Sequence, residues 1–93
     1  MIIQDDIKEN LPLFIVELYH QTLGDSSVKV SMFDIGESLG LDRKLTLRTA
    51  EELIGTGLVE IKTLSGIIGI TTDGITEAQQ LGAFLQDNKE SKI

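Results

Sequence analysis

Glu17 and His20 are the residues whose types and spacing come closest to a metal site. The segment Glu-Leu-Tyr-His has the E-x-x-H spacing that di-iron carboxylate proteins use on a helix. Such a site needs a second copy of the motif and further glutamates, and the chain has one histidine. We therefore expect His20 to lie on a helix surface or to be partly buried, without a role as a metal ligand.

Other catalytic arrangements lack their defining residues. The chain has no cysteine, which excludes thiolate nucleophiles, disulfides and cysteine-ligated zinc. No serine lies in a G-x-S-x-G elbow, and Gly55-Thr56-Gly57 lacks the remaining residues of a dinucleotide or phosphate loop. The acidic residues Asp5, Asp6 and Glu9 are typical of a solvated chain end. We therefore expect a protein that is not an enzyme and that holds neither a metal nor a cofactor.

The composition predicts one soluble domain over residues 1–93. Hydrophobic residues make up 41% of the chain and charged residues 25%, which are proportions typical of globular proteins. The longest apolar stretch, Leu11–Val16, is far shorter than the roughly 20 residues that a membrane span needs. The acidic N-terminus lacks the basic region of a secretory signal. These features predict a cytoplasmic protein with no membrane partner.

The elements that position any site begin with a helix predicted over Asn10–Leu23. Its apolar face repeats every three to four residues and comprises Leu11, Phe14, Ile15, Leu18, Tyr19 and Thr22. Pro12 fits the first turn of a helix that starts at Asn10, because a proline there loses no hydrogen bond. A lead-in over residues 1–9 and a tail over residues 87–93 are expected to fray.

A short β-prone segment, Val28–Val30, precedes two short helices joined at a glycine. Ser31 is expected to cap the first helix and Gly40 to end it. Asp42 is expected to cap the second helix, which runs to about Ile54. The buried stripes of these two helices are predicted to be Met32, Ile35, Leu39, Thr46, Ala50 and Leu53.

Two β-rich runs, Leu58–Leu64 and Ile67–Thr72, flank Ser65-Gly66. A two-residue turn that contains a glycine predicts a tight hairpin, in which Ile61 faces Ile70. In this register, both isoleucines point towards the helices and close their core.

The last helix is predicted near Ile75–Gln86, with Thr72 or Asp73 as its cap. Together with the first helix, it offers apolar side chains that two copies of the chain can share. We expect a homodimer through such an interface, built from Phe14, Tyr19, Leu81, Phe84 and Leu85.

Two segments carry a resemblance to a known family. Val28–Ile61, VKVSMFDIGESLGLDRKLTLRTAEELIGTGLVEI, resembles the second helix, glycine turn, recognition helix and wing start of a winged helix-turn-helix domain. Gly66–Leu81, GIIGITTDGITEAQQL, is similar to the wing return and last helix of MarR-type regulators. The resemblance implies an α+β, mostly helical winged helix, with a three-helix core, a β-hairpin wing and a C-terminal helix. It also implies a small, dimeric transcription regulator that binds double-stranded DNA.

In this family, the third helix lies in the major groove and the wing contacts phosphates. The resemblance therefore places DNA contacts on Arg43, Lys44, Leu47, Arg48 and, on the outward face of the wing, Lys62. The distribution of charge along the chain agrees with these contacts. Residues 43–72 hold four basic and three acidic side chains, whereas the rest of the chain carries a net charge of −8.

Other charges favour a protein partner over DNA. The chain carries a net charge of −7, whereas nucleic-acid binders gain most of their affinity from basic side chains. Glu51 and Glu52 share the exposed face of the third helix with Arg48, which can pair with either of them. The wing tip, residues 63–69, contains neither Arg nor Lys.

Apolar residues lie where base-reading or phosphate-binding residues are expected. Leu45 and Leu47 flank the recognition positions, and they either contact the first helix or meet a partner protein. Leu64 and Ile67 share one face of the wing tip, and they either meet a partner or pack against the N-terminal Ile2 and Ile3. The alternative to a DNA-binding regulator is thus a winged-helix protein-protein interaction module that has lost DNA binding.

Overall fold

The computed structural model describes the backbone of residues 2–90 and the side chains of residues 7–82. Its elements follow in the order α1 (Ile2–Thr22), β1 (Val30–Ser31), α2 (Met32–Ser38), α3 (Arg43–Gly55), β2 (Val59–Thr63), β3 (Ile67–Ile70) and α4 (Thr72–Glu90). Within this range the fold is α+β and mainly helical, as predicted. Of the segments expected to fray, residues 2–9 belong to α1 and residues 87–90 to α4, whereas residues 1 and 91–93 and the side chains of Phe84 and Leu85 lie outside the described residues.

Helix α1 is longer than the sequence predicted. It begins at Ile2 and includes Pro12 in its interior, so the predicted start at Asn10 is wrong. An internal proline cannot donate the hydrogen bond that a helix normally makes to the carbonyl four residues earlier. Burial of the face that contains Phe14, Ile15 and Leu18, all at most 1% exposed, compensates for that loss.

The two short helices form as predicted, because local caps define their ends. The Ser31 hydroxyl accepts a hydrogen bond from the Phe33 amide at 3.2 Å, and the Asp42 carboxylate accepts one from the Leu45 amide at 2.8 Å. Gly40 follows α2 with a φ of +75°, which a side chain would disfavour. The Leu41 amide then donates to the Gly36 carbonyl at 2.9 Å and closes the C-terminal turn of α2.

Helices α2 and α3 meet at a glycine that the sequence analysis did not single out. Gly36 is buried, and a Cβ atom built on it would lie 2.6 Å from Thr46 Cγ2. On α3, Thr46, Ala50 and Leu53 face inward as predicted, and Thr49 is buried as well. The Thr49 hydroxyl donates to the Leu45 carbonyl at 2.7 Å, which satisfies it inside the core.

The three strands form an antiparallel sheet in the order β1-β3-β2. Ile61 pairs with Ile68 and Val59 with Ile70, so the predicted pairing of Ile61 with Ile70 is wrong. The strands are joined by three residues, 64–66, and the register shifts between Ile61 and Thr63. Gly66 ends this loop with a φ of +100°, a conformation that suits glycine at the last position of a three-residue hairpin loop.

The changed register decides which hairpin residues enter the core. Val59 is 2% exposed and Ile70 is fully buried, whereas Ile61 is 52% exposed and does not close the core as predicted. The buried apolar cluster draws on every helix and on β2 and β3, and it consists of Phe14, Ile15, Leu18, Met32, Ile35, Ala50, Leu53, Val59, Ile68, Ile70 and Ala78.

Thr71, rather than the predicted Thr72 or Asp73, caps α4. Its hydroxyl accepts a hydrogen bond from the Gly74 amide at 3.0 Å and donates one to the Gly57 carbonyl at 2.7 Å. One side chain thus connects the residues after α3 to the start of α4. The helix consequently begins at Thr72, earlier than the predicted Ile75.

Candidate functional site

Four of the five residues predicted to contact DNA lie on α3, and the fifth, Lys62, lies on β2. Arg43, Lys44, Leu47 and Arg48 are all exposed. Lys44 and Arg48 lie on the side of α3 opposite its buried residues, whereas Arg43 lies on the side that faces Phe33 of α2. Leu45, at the flank, is only half-buried. The Asp42 cap fixes the first turn of α3, and this turn carries Arg43 and Lys44.

Arg43 is held by an aromatic ring that the sequence analysis missed. Its guanidinium carbon lies 4.0 Å from the centre of the Phe33 ring, a cation–π arrangement between α3 and α2. Phe33 lies off the buried stripe of α2 and is half-buried. A large aromatic residue next to a buried stripe was the signal in the sequence for this contact.

Lys62 is engaged within the hairpin instead of standing free on its outward face. Its ammonium group lies 2.8 Å from a carboxylate oxygen of Glu60, and its side chain is only 21% exposed. A Cβ atom built on Gly69 would lie 2.6 Å from Lys62 Cε, so the lysine stem runs across this glycine. The two charges offset one another, because residues two apart on a strand share a face.

The predicted pairing of Arg48 with Glu51 or Glu52 is not seen. Among the side chains of residues 7–82, the ion pair between Lys62 and Glu60 is the only one within 4.0 Å. Arg48, Glu51 and Glu52 nevertheless line one shallow depression of about 360 Å³, together with Ile7 of α1. Cationic and anionic groups therefore share the outer face of α3.

An apolar groove separates α3 from the hairpin. This α3–hairpin groove has a volume of about 370 Å³, and its lining consists of Met32, Phe33, Arg43, Leu47, Glu51, Ile54, Ile61, Thr63, Leu64, Ser65 and Gly66. Three of its apolar side chains reach far into solvent: Leu47 is 41% exposed, Ile61 52% and Leu64 98%. Leu64 is therefore almost fully exposed, whereas Ile67 is half-buried beside it. The side chains of Ile2 and Ile3, the predicted alternative contacts of these two residues, lie outside the described residues.

Of the residues predicted for a dimer interface, the structure describes the side chains of three: Phe14, Tyr19 and Leu81. Phe14 is fully buried in the core and is not available to a second chain. Tyr19 and Leu81 are half-buried against the same core, and the Tyr19 hydroxyl accepts a hydrogen bond from Gln79 at 3.4 Å. The side chains of Phe84 and Leu85 lie outside the described residues.

The E-x-x-H motif lies on α1. Glu17 accepts a hydrogen bond from Gln21 at 2.9 Å, while His20 is exposed and its ring lies 6.2 Å from that of Tyr19. No group of three His, Asp or Glu side chains in the described part of the chain is arranged to hold a metal ion. No helix there is long and apolar enough to cross a bilayer.

No protein-family model, curated protein or solved structure matches this chain. A function must therefore be inferred from the order of the helices and strands and from the side chains on the surface. Both point to α3 and the hairpin, because the exposed cations of α3 and the apolar groove lie there together.

Proposed function

We propose that this chain is a winged-helix-type domain that binds another protein in its α3–hairpin groove. The order helix, strand, helix, turn, helix, hairpin, helix is the order expected of a winged helix, with α3 as the recognition helix. The short β1 strand adds to the hairpin to complete a three-stranded sheet, which supports the same architecture. Because one fold serves many functions, the choice of partner rests on the surface.

The exposure of Leu47, Ile61 and Leu64 around one groove carries the proposal. Contact with water costs about 25 cal/mol for each Å² of apolar surface, so three such side chains gain from being covered. Single exposed leucines are common on soluble proteins, but a cluster that rims a groove is typical of a binding surface. The polar rim of Thr63 and Ser65 beside this apolar centre fits that pattern.

The charges near the groove support a protein partner over DNA. Lys62 is neutralised by Glu60, and Arg43 is stacked on Phe33. Glu51 lines the groove itself, where a phosphate would be repelled. A net charge of −7 adds a general barrier to association with a polyanion.

The test compares variants that place a charge in the groove with variants that place it elsewhere. Leu47→Asp with Leu64→Asp disrupts the groove, whereas Leu13→Asp with Leu23→Asp changes leucines of similar exposure on α1 and after it. Each form of the full chain is cross-linked to its neighbours in a cell extract, and the captured proteins are quantified. We expect a defined set to be captured by the wild type and the control, and lost with the groove variant. Equal capture by all three chains would overturn the proposal.

A DNA-binding regulator is the second candidate, and the exposed cations of α3 favour it. Lys44 and Arg48 stand in no ion pair with any side chain of residues 7–82, and with Arg43 they form a basic start to the helix. Two copies would have to present their α3 helices about 34 Å apart to meet successive major grooves.

A gel-shift titration at low salt tests this second candidate. Binding that weakens with a logarithmic salt slope of roughly −0.9 per phosphate contact would support it. Lys44→Ala with Arg48→Ala should then reduce binding, and Lys8→Ala with Lys89→Ala, which removes the same charge elsewhere, should not. Absence of binding, or equal loss in both variants, would contradict DNA recognition by α3.

A further inference from the structure

A second cleft lies between α1, the end of α3 and α4, and it is separate from the α3–hairpin groove. Its volume is about 430 Å³, and its lining consists of Leu11, Pro12, Ile15, Glu52, Leu53, Thr56, Leu58, Glu77 and Leu81. None of these residues lines the groove. This α1–α4 cleft can therefore be tested independently of the proposed protein partner.

The floor of the cleft is apolar and fixed by the core. Ile15 is 1% exposed and Leu53 is 3% exposed, so both belong to the buried cluster. Leu11, Leu58 and Leu81 are half-buried and pack against this cluster. Such a floor favours a hydrocarbon chain, because covering it removes apolar surface from water.

The polar side chains that line the cleft among residues 7–82 can accept hydrogen bonds but have none to donate. Thr56 already donates its hydroxyl hydrogen to the Leu53 carbonyl at 3.1 Å. Glu52 and Glu77 are carboxylates, which only accept when ionised, and neither stands in an ion pair within the described residues. Among residues 7–82, no basic side chain lines the cleft. A ligand matched to this lining must supply the donors and a positive charge.

We propose that the α1–α4 cleft binds a small hydrophobic amine, with its alkyl chain on the leucine and isoleucine floor and its ammonium group between Glu52 and Glu77. The volume of the cleft lies within the 300–1,000 Å³ that is usual for small-molecule sites. Its lining of apolar side chains with a few polar groups is also usual for such sites. Charge complementarity selects an amine over an alcohol or a fatty acid, because the two carboxylates repel an anion and leave a neutral head without a charged partner.

The experiment is an NMR titration of the isotope-labelled full chain at pH 7. Three probes with the same alkyl chain are compared below their micelle concentrations: octylamine, octanol and octanoate. Octylamine should shift the backbone amides of Leu11, Ile15, Leu53, Leu58 and Leu81 in a saturable way, and the other two probes should bind at least about fivefold more weakly.

A pair of charge-matched variants isolates the carboxylates. Glu52→Gln with Glu77→Gln should weaken octylamine about fivefold and leave octanol unchanged, because half-exposed ion pairs each contribute modestly. Glu37→Gln with Glu51→Gln removes the same two negative charges but lies outside the cleft, and it should leave octylamine binding unchanged. Equal affinity for all three probes, equal loss in both variants, or no saturable shifts at the cleft amides would overturn the proposal.

Discussion

Gly36 of α2 lies so close to the Thr46 side chain of α3 that no side chain fits between them. Both residues are buried, and a Cβ atom on Gly36 would meet the hydroxyl and methyl groups of Thr46 together. The distance between α2 and α3 therefore depends on the absence of a side chain at Gly36.

We expect Gly36→Ala to destabilise the protein by about 2–3 kcal/mol, because the added methyl group overpacks the α2–α3 contact. Gly82→Ala is the matched control. Gly82 lies in α4 with nothing within 4 Å of its Cβ position, so alanine there should stabilise by about 0.5–1 kcal/mol through helix propensity. Urea unfolding of the two variants measures both values, and equal effects would contradict the close contact.

The hairpin register makes a second prediction from two isoleucines. Ile70→Ala should cost about 2–5 kcal/mol, because Ile70 is fully buried and its removal leaves a cavity. Ile61→Ala should cost less than about 1 kcal/mol, because Ile61 is half-exposed beside the groove. Thermal unfolding distinguishes this register from one that pairs the two residues, in which both substitutions would be costly.

Thr71 makes a third prediction. Thr71→Val removes a hydroxyl that both accepts from the Gly74 amide and donates to the Gly57 carbonyl, and we expect a loss of about 1–2 kcal/mol. Thr72→Val, one residue along and exposed, should change stability by no more than about 0.5 kcal/mol. Denaturant midpoints of the two variants provide the comparison, and similar values would argue against Thr71 as the cap.

Asp25 makes a fourth prediction, which concerns pH. Hydrogen bonds from the Ser27 hydroxyl at 2.7 Å and the Ser27 amide at 2.9 Å lower the pKa of Asp25 below its ordinary value. Because the pKa of Asp25 is lower in the folded state than in the unfolded state, its ionised carboxylate stabilises the fold at pH values above the unfolded pKa. That stabilisation is lost as the pH falls through the folded pKa. Ser27→Ala should raise the pKa of Asp25 partway, since the amide bond remains, and Ser26→Ala should not. An NMR titration of the Asp25 carboxyl carbon measures both.

The sequence predicted α2, the turn and α3 closely, because short-range signals define them. Ser31, Gly40 and Asp42 each satisfy a backbone group within a few residues, and such contacts can be inferred from local order alone. The α1 boundary could not be inferred in this way. Because proline is favoured in the first turn of a helix, the sequence predicted that α1 starts just before Pro12. The helix instead continues through Pro12 and packs one face against the core.

Contacts between residues that are far apart in the chain also could not be predicted from the sequence. The hairpin register depends on a three-residue loop and on packing of Val59 against the helices, neither of which follows from the residues of the turn. The partners of Arg43 and Lys62 were also missed. Phe33 lies on another helix, so its contact with Arg43 depends on how α2 and α3 pack. Glu60 is only two residues from Lys62, and this local pairing was overlooked.

The hydrogen bonds of Thr71 fix the base of the hairpin and leave its tip unconstrained. The Thr71 amide donates to the Leu58 carbonyl at 3.2 Å while its hydroxyl holds Gly57, so both ends of the ribbon are fastened at one point next to the core. Residues inserted near Leu64 would lengthen a loop whose ends are already joined, and this adds little entropic penalty. The tip can therefore change in length and composition over evolution without refolding of the helices.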